Sequence, residues 1–243
     1  MSLFFEVVMK KLKSLYRYFT PAERILWCVS VALIIIAFAA FDRTNYLTLC
    51  ASLIGVTSLI FSAKGNPVGQ ALMVIFSLLY GAISYTFSYY GEMITYLGMT
   101  MPMAIVALIA WLRHPYKGSR SQVAVGQLRG KDWLLAAILT AAVTVAFYFI
   151  LAAFHTANLL LSTLSVTTSF LAVYLTYRRS PCFALAYAAN DAVLIGLWLL
   201  ASAQQAQYLS VVVCFAAFLV NDLYGFISWR QMERQQKLEC YEP

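Results

Sequence analysis

Two Asn-Asp pairs lie inside long apolar runs, Asn190-Asp191 in FALAYAANDAVLIGLWLLA and Asn221-Asp222 in VVVCFAAFLVNDLYGFISW. An Asp at the centre of a membrane-spanning helix costs about 2.5–3.5 kcal/mol on insertion scales, so each needs a partner, water or a proton. At that depth such groups glue helices together, hold a polar ligand or relay protons. Spacings of 4, 3 and 4 put Tyr187, Asp191, Leu194 and Trp198 on one helix face, with Asn190 beside them. Asp222, Gly225 and Trp229 share a second face, next to Asn221, Tyr224 and Ser228. Amides and carboxyls would grip a polar molecule while Trp and Tyr stack on its ring. Helix-to-helix hydrogen bonding stays open as the alternative for the carboxyls, and Trp229, beside Arg230, equally fits an interfacial anchor.

The first half of the chain adds Gln70, Ser77, Tyr80, Ser84 and Tyr85, then Tyr96, Thr100 and Pro102. Pro102 lacks an N–H and should kink its helix, exposing the carbonyl of Gly98. Tyr89 and Tyr90, with Glu92, are expected to mark the outer membrane interface. The candidate substrate-binding set is therefore Gln70, Tyr80, Tyr96, Thr100, Asn190, Asp191, Trp198, Asn221, Asp222 and Tyr224. Catalytic constellations are not expected. The two histidines, His114 and His155, fall at opposite membrane faces, and no HExxH, GxSxG or Gly-rich phosphate loop occurs. The five cysteines show no ligand spacing, so no metal, cofactor or disulfide is expected. An intramembrane carboxyl pair still leaves proton coupling open.

These residues need membrane helices to position them. Of 243 residues, 62% are hydrophobic and 11% charged, against about half and a quarter in soluble domains. Runs long enough to span a bilayer, about 20 residues each, are Ile25–Phe41, Tyr46–Ala63, Val68–Tyr89, Met93–Trp111, Trp133–Ala153, Asn158–Tyr177, Phe183–Ser202 and Leu209–Trp229. Continuous runs such as VALIIIAFAAF exclude the short alternating strands of a membrane barrel. The fold class is an all-α polytopic membrane protein of eight transmembrane helices. With the N-terminus inside, nearly all Lys and Arg fall on the cytoplasmic side, Arg43 excepted, so both termini are expected there. The net charge of +7 thus reports topology and contact with lipid headgroups, and no nucleic acid is implied. The opening segment LFFEVVMKKLKSLYRYF reads as an amphipathic surface helix, and the first span as uncleaved, since the region before it is long for a signal peptide.

The polar stretch from Arg113 to Asp132 divides two similar halves. Thr57-Ser58 and Thr168-Ser169 match, each followed by a basic turn with proline, AKGNP or RRSP, and LIAWLR parallels FISWRQ. The plan is one extra helix plus two parallel three-helix repeats joined by a linker helix, with a substrate site at their interface. Its segments are residues 1–24, an amphipathic N-terminus; 25–44, the extra first span; 45–112, the first repeat; 113–157, a loop and linker helix; 158–230, the second repeat; and 231–243, a tail.

The segments GNPVGQ, LLYGAISYTFSYYGEMITYLGMTMPMAI, ANDAVLIGLW and FLVNDLYGFISWRQME, within Tyr46 to Glu233, resemble the PnuC family of bacterial vitamin transporters. The resemblance implies uptake of nicotinamide riboside, an NAD precursor, by facilitated diffusion across the inner membrane. It also implies trapping by a cytoplasmic riboside kinase and a fold similar to the SWEET transporters. Relatives on similar frameworks carry thiamine, riboflavin or deoxynucleosides, so a proton-coupled transporter of one of these is the alternative. Assembly into a homo-oligomer is left open.

Overall fold

The structure, a computed structural model, describes residues 17–86, 90–156 and 158–240, apart from the side chain of Tyr90. The expected N-terminal surface helix lies almost wholly outside the described residues.

Eight helices are long and apolar enough to cross a membrane. The first, α1 (Pro21–Ala37), starts on a capping box in which Thr20 and Glu23 bond each other's backbone N–H, and ends in a π-helical turn at Phe38–Asp42. Next come α2 (Tyr46–Ala63) and α3 (Pro67–Thr86), whose opening proline sits where no helical N–H is needed. In α4 two α-helical stretches, Tyr90–Thr95 and Met101–Arg113, flank a π-helical turn at Tyr96–Thr100. That turn is how the chain accommodates Pro102: the wider loop ends with Met101 N–H bonding the carbonyl of Tyr96.

A hairpin follows, β1 (Pro115–Tyr116) and β2 (Ser119–Val123), closed by Lys117 and Gly118, both at positive φ. The apolar periodicity of the sequence carries no sign of it. Then come α5 (Gly130–Ala153), α6 (Leu159–Tyr177), α7 (Cys182–Ser202) and α8 (Leu209–Glu239). Helix α8 runs on well past Trp229 through the segment expected to be a tail. At 31 residues it is about 46 Å long, more than a bilayer core of about 30 Å requires, so its polar end projects from the membrane.

Helix packing comes in matched pairs. Helix α3 lies on α2 and α7 on α6, while α8 packs across on α2 as α4 packs across on α6. Trp111 of α4 donates its indole N–H to the carbonyl of Thr176 at 2.9 Å, and Trp229 of α8 does the same to Ser62 at 2.8 Å. The two rings meet at 5.3 Å, fully buried. The turns after α2 and α6 also match. Gly65 and Arg179 both take positive φ, and Asn66 and Ser180 both bond back to the fifth residue before them, each at 3.0 Å. Trp111, Trp229, Lys64 and Arg179 mark one end of the bundle, called here the basic face.

The segment after β2 seats on both turns at once. Val123 N–H donates to the carbonyl of Gly65 and Gly126 N–H to that of Arg179, each at 2.9 Å. Gln236 of α8 clamps the same segment, accepting from Val125 N–H at 2.8 Å and donating to the Val123 carbonyl at 3.1 Å. Position 126 demands glycine, because a Cβ there would lie 2.1 Å from the Arg178 carbonyl oxygen.

Candidate functional site

The middle of the bundle is aromatic. Tyr80 of α3 and Tyr96 in the π turn approach to 4.5 Å between ring centroids, and Tyr80 meets Phe215 at 5.9 Å and Trp198 of α7 at 6.4 Å. Phe76 packs on Tyr80 and Tyr96, and Tyr208 on Trp198. All are buried. The π turn rotates the α4 face locally and aims Tyr96 inward. Thr100, also buried, closes that turn.

Polar groups edge the cluster. The Tyr80 hydroxyl and the Trp198 indole N–H are both buried at this ring contact. Tyr96 stands within electrostatic range of both Asp191 and Glu92. Asp191 and Asp222 are each buried, and their carboxyl groups lie within hydrogen-bonding reach of one another across the α7–α8 contact. Two full charges so close would repel, so this pair favours sharing a proton.

The other expected site residues go elsewhere. Asn190 points its Oδ1 at α6, where Ser165, Thr168 and Ser169 donate to it at 3.3, 2.9 and 3.0 Å. Asn221 donates to Ser30 of α1 at 2.9 Å and to its own helix at Ala217, and its buried Oδ1 has no partner among the described residues. Gln70 bonds Ser62 of α2 at 3.3 Å. Tyr224 is half-buried at the basic face and donates to Glu23 at 3.2 Å. The structure thus brings Tyr80, Tyr96, Thr100, Asp191, Trp198 and Asp222 into one region, and keeps Gln70, Asn190, Asn221 and Tyr224 in helix-to-helix contacts around it.

Glu92 corrects the sequence reading. Rather than facing outward beside the tyrosines, it is 5% exposed, and its Oε2 has no hydrogen-bond partner among the described residues. The cause lies one residue earlier. Gly91 packs so tightly on the end of α5 that a Cβ would fall 2.7 Å from Leu151 and Thr156, and this tucks the start of α4 into the bundle. Glu92 and Tyr96 are one turn apart, so once Tyr96 faces inward Glu92 must too. That spacing is readable in the sequence, but the interfacial tyrosines beside it mask the signal.

Comparison with known proteins agrees with this architecture. Residues 45–231 match the nicotinamide mononucleotide transporter family. A nicotinamide riboside transporter PnuC from Neisseria mucosa is 27% identical over 202 residues, spanning 80% of this chain and 76% of that protein. Its namesake from Haemophilus influenzae is 23% identical over 211 residues, spanning 85% and 90%. The fold matches a crystal structure of the vitamin B3 transporter PnuC with a TM-score of 0.78, at 23% identity over 90% of this chain and 94% of that one. These relatives are transporters and not enzymes. The chain is a multi-pass membrane protein that belongs to the nicotinamide mononucleotide transporter family, the family of the PnuC transporters.

Proposed function

We propose that this protein carries nicotinamide riboside across the membrane by facilitated diffusion, through a central site between its two three-helix repeats. The observation that supports it most is the meeting of Tyr80 and Tyr96 from the first half with Trp198 and Asp191 from the second. A pyridinium ring is drawn to the faces of such aromatics, and the carboxyl, hydroxyl and indole groups at their edge suit a carboxamide and ribose hydroxyls. The basic face is taken as cytoplasmic, on the bias of Lys and Arg. A cytoplasmic kinase acting on the arriving riboside would then keep uptake running downhill.

The deciding experiment is uptake of labelled nicotinamide riboside into liposomes holding the purified protein. Uptake that equilibrates and is blocked by unlabelled riboside, but not by thiamine, riboflavin or nucleosides, is expected. Uptake of one of those vitamins alone would replace the substrate.

The Asp191–Asp222 contact supports a second reading, a proton-coupled carrier. An imposed pH gradient separates the two. Accumulation above equilibrium, lost in Asp191→Asn or Asp222→Asn, belongs to the coupled carrier, and a gradient without effect belongs to the facilitator.

A further inference from the structure

We infer that Glu92 is a specificity-determining residue of this site, whose carboxylate selects an aromatic ring bearing a fixed positive charge over an uncharged ring of the same shape. The inference rests on the nicotinamide riboside reading for its substrate. Every other described acid has a partner. Glu23 pairs with Lys64, Asp132 with Arg178, Glu233 with Arg230 and Lys237, and Glu239 with Lys117. Asp42 accepts the backbone N–H of Asn45 in the turn after α1. Asp191 and Asp222 face each other. Glu92 has none of these, although it is among the most deeply buried of them.

A buried acid with no basic partner is costly, and the cost falls when a cation arrives. Its surroundings fit that visitor. Glu92 lies within electrostatic range of the Tyr80 and Tyr96 hydroxyls, at the edge of the aromatic cluster. The buried Ser84 Oγ, one turn beyond Tyr80 on α3, is also without a partner among the described residues. A cationic ring seated on those tyrosines meets π faces and the carboxylate together. An uncharged ring keeps the stacking and forfeits the charge.

The test compares nicotinamide riboside with its 1,4-dihydro form, which keeps the amide and ribose on a reduced ring without the charge, by calorimetric titration of the purified protein. Wild type should bind the cation more tightly, and Glu92→Gln should shrink the ratio of the two affinities by about tenfold, chiefly by weakening the cation. Damage to folding would weaken both ligands alike and leave the ratio standing. An unchanged ratio in a Glu92→Gln protein that still binds the dihydro form as wild type does overturns the inference. So does equal binding of the two forms by wild type, which needs no variant to be folded. Binding of neither form by wild type overturns the nicotinamide riboside reading itself.

Discussion

Asn190 and Trp198 sit two turns apart on α7 and face different tasks. The Asn190 oxygen takes three hydroxyl donors from α6, the arrangement of a side chain that locks two helices. Intramembrane hydrogen bonds average about 0.6 kcal/mol each and reach about 1.7. Asn190→Ala is therefore expected to destabilise the protein by about 1–2 kcal/mol, lowering its thermal unfolding midpoint in detergent. Trp198 is only 3% exposed, so Trp198→Ala opens a core cavity. Trp198→Phe keeps a ring in place. It should hold the midpoint near wild type while weakening riboside binding several-fold, because the indole N–H and the larger π face are gone. The two variants should thus move different observables. If Asn190→Ala leaves the midpoint alone and abolishes binding, the assignment of roles is reversed.

Helix α1 is held by a short set of polar contacts. Glu23, 3% exposed, pairs with Lys64 at 3.1 Å and accepts from Tyr224; Trp27 donates to Thr57 at 3.2 Å; Ser30 takes the amide of Asn221. Much of the rest of α1 is exposed apolar surface suited to lipid. Removing one partner of a buried ion pair strands the other, at about 3–5 kcal/mol, whereas replacing both by apolar groups is often neutral. Lys64→Met should therefore destabilise strongly, and Glu23→Leu/Lys64→Met together should recover most of the loss, both read from unfolding in detergent. A double variant as unstable as the single one would show that packing rather than charge secures α1. All eight spans can be read from run length alone, because a bilayer imposes length and composition on each helix separately. Which helix lies beside which cannot. The partner of Asn221 is Ser30, 191 residues away, and nothing in the local spacing of either reveals the other. Of the expected site, Tyr80, Tyr96 and Trp198 meet as their helix faces suggest, whereas Gln70, Asn190 and Asn221 bond neighbouring helices, because a polar seam serves a neighbouring helix as well as it serves a ligand.

At the basic face the two halves share a clasp. The matched carbonyls of Gly65 and Arg179 each receive an N–H from one short segment, so the segment ties the turn of one half to the turn of the other. Beneath it Trp111 and Trp229 close the bundle. A carrier that rocks its halves must break at least one of these two hydrogen bonds whenever this face opens. Gly126 is where the clasp can be loosened with a single atom. The Cβ of Gly126→Ala collides with a backbone carbonyl, which cannot swing aside as a side chain would. The bond to Arg179 should be lost while Val123 keeps its own on Gly65. Cys182, half-buried at the start of α7 close to the Arg179 turn, reports the result. In a background where the other cysteines are replaced, Gly126→Ala should raise the rate at which a maleimide modifies Cys182 several-fold. Gly130→Ala, with open space around its added methyl, should leave that rate at wild type. Equal labelling of all three proteins would mean that the segment rides with one half and that opening at this face does not pass through the clasp.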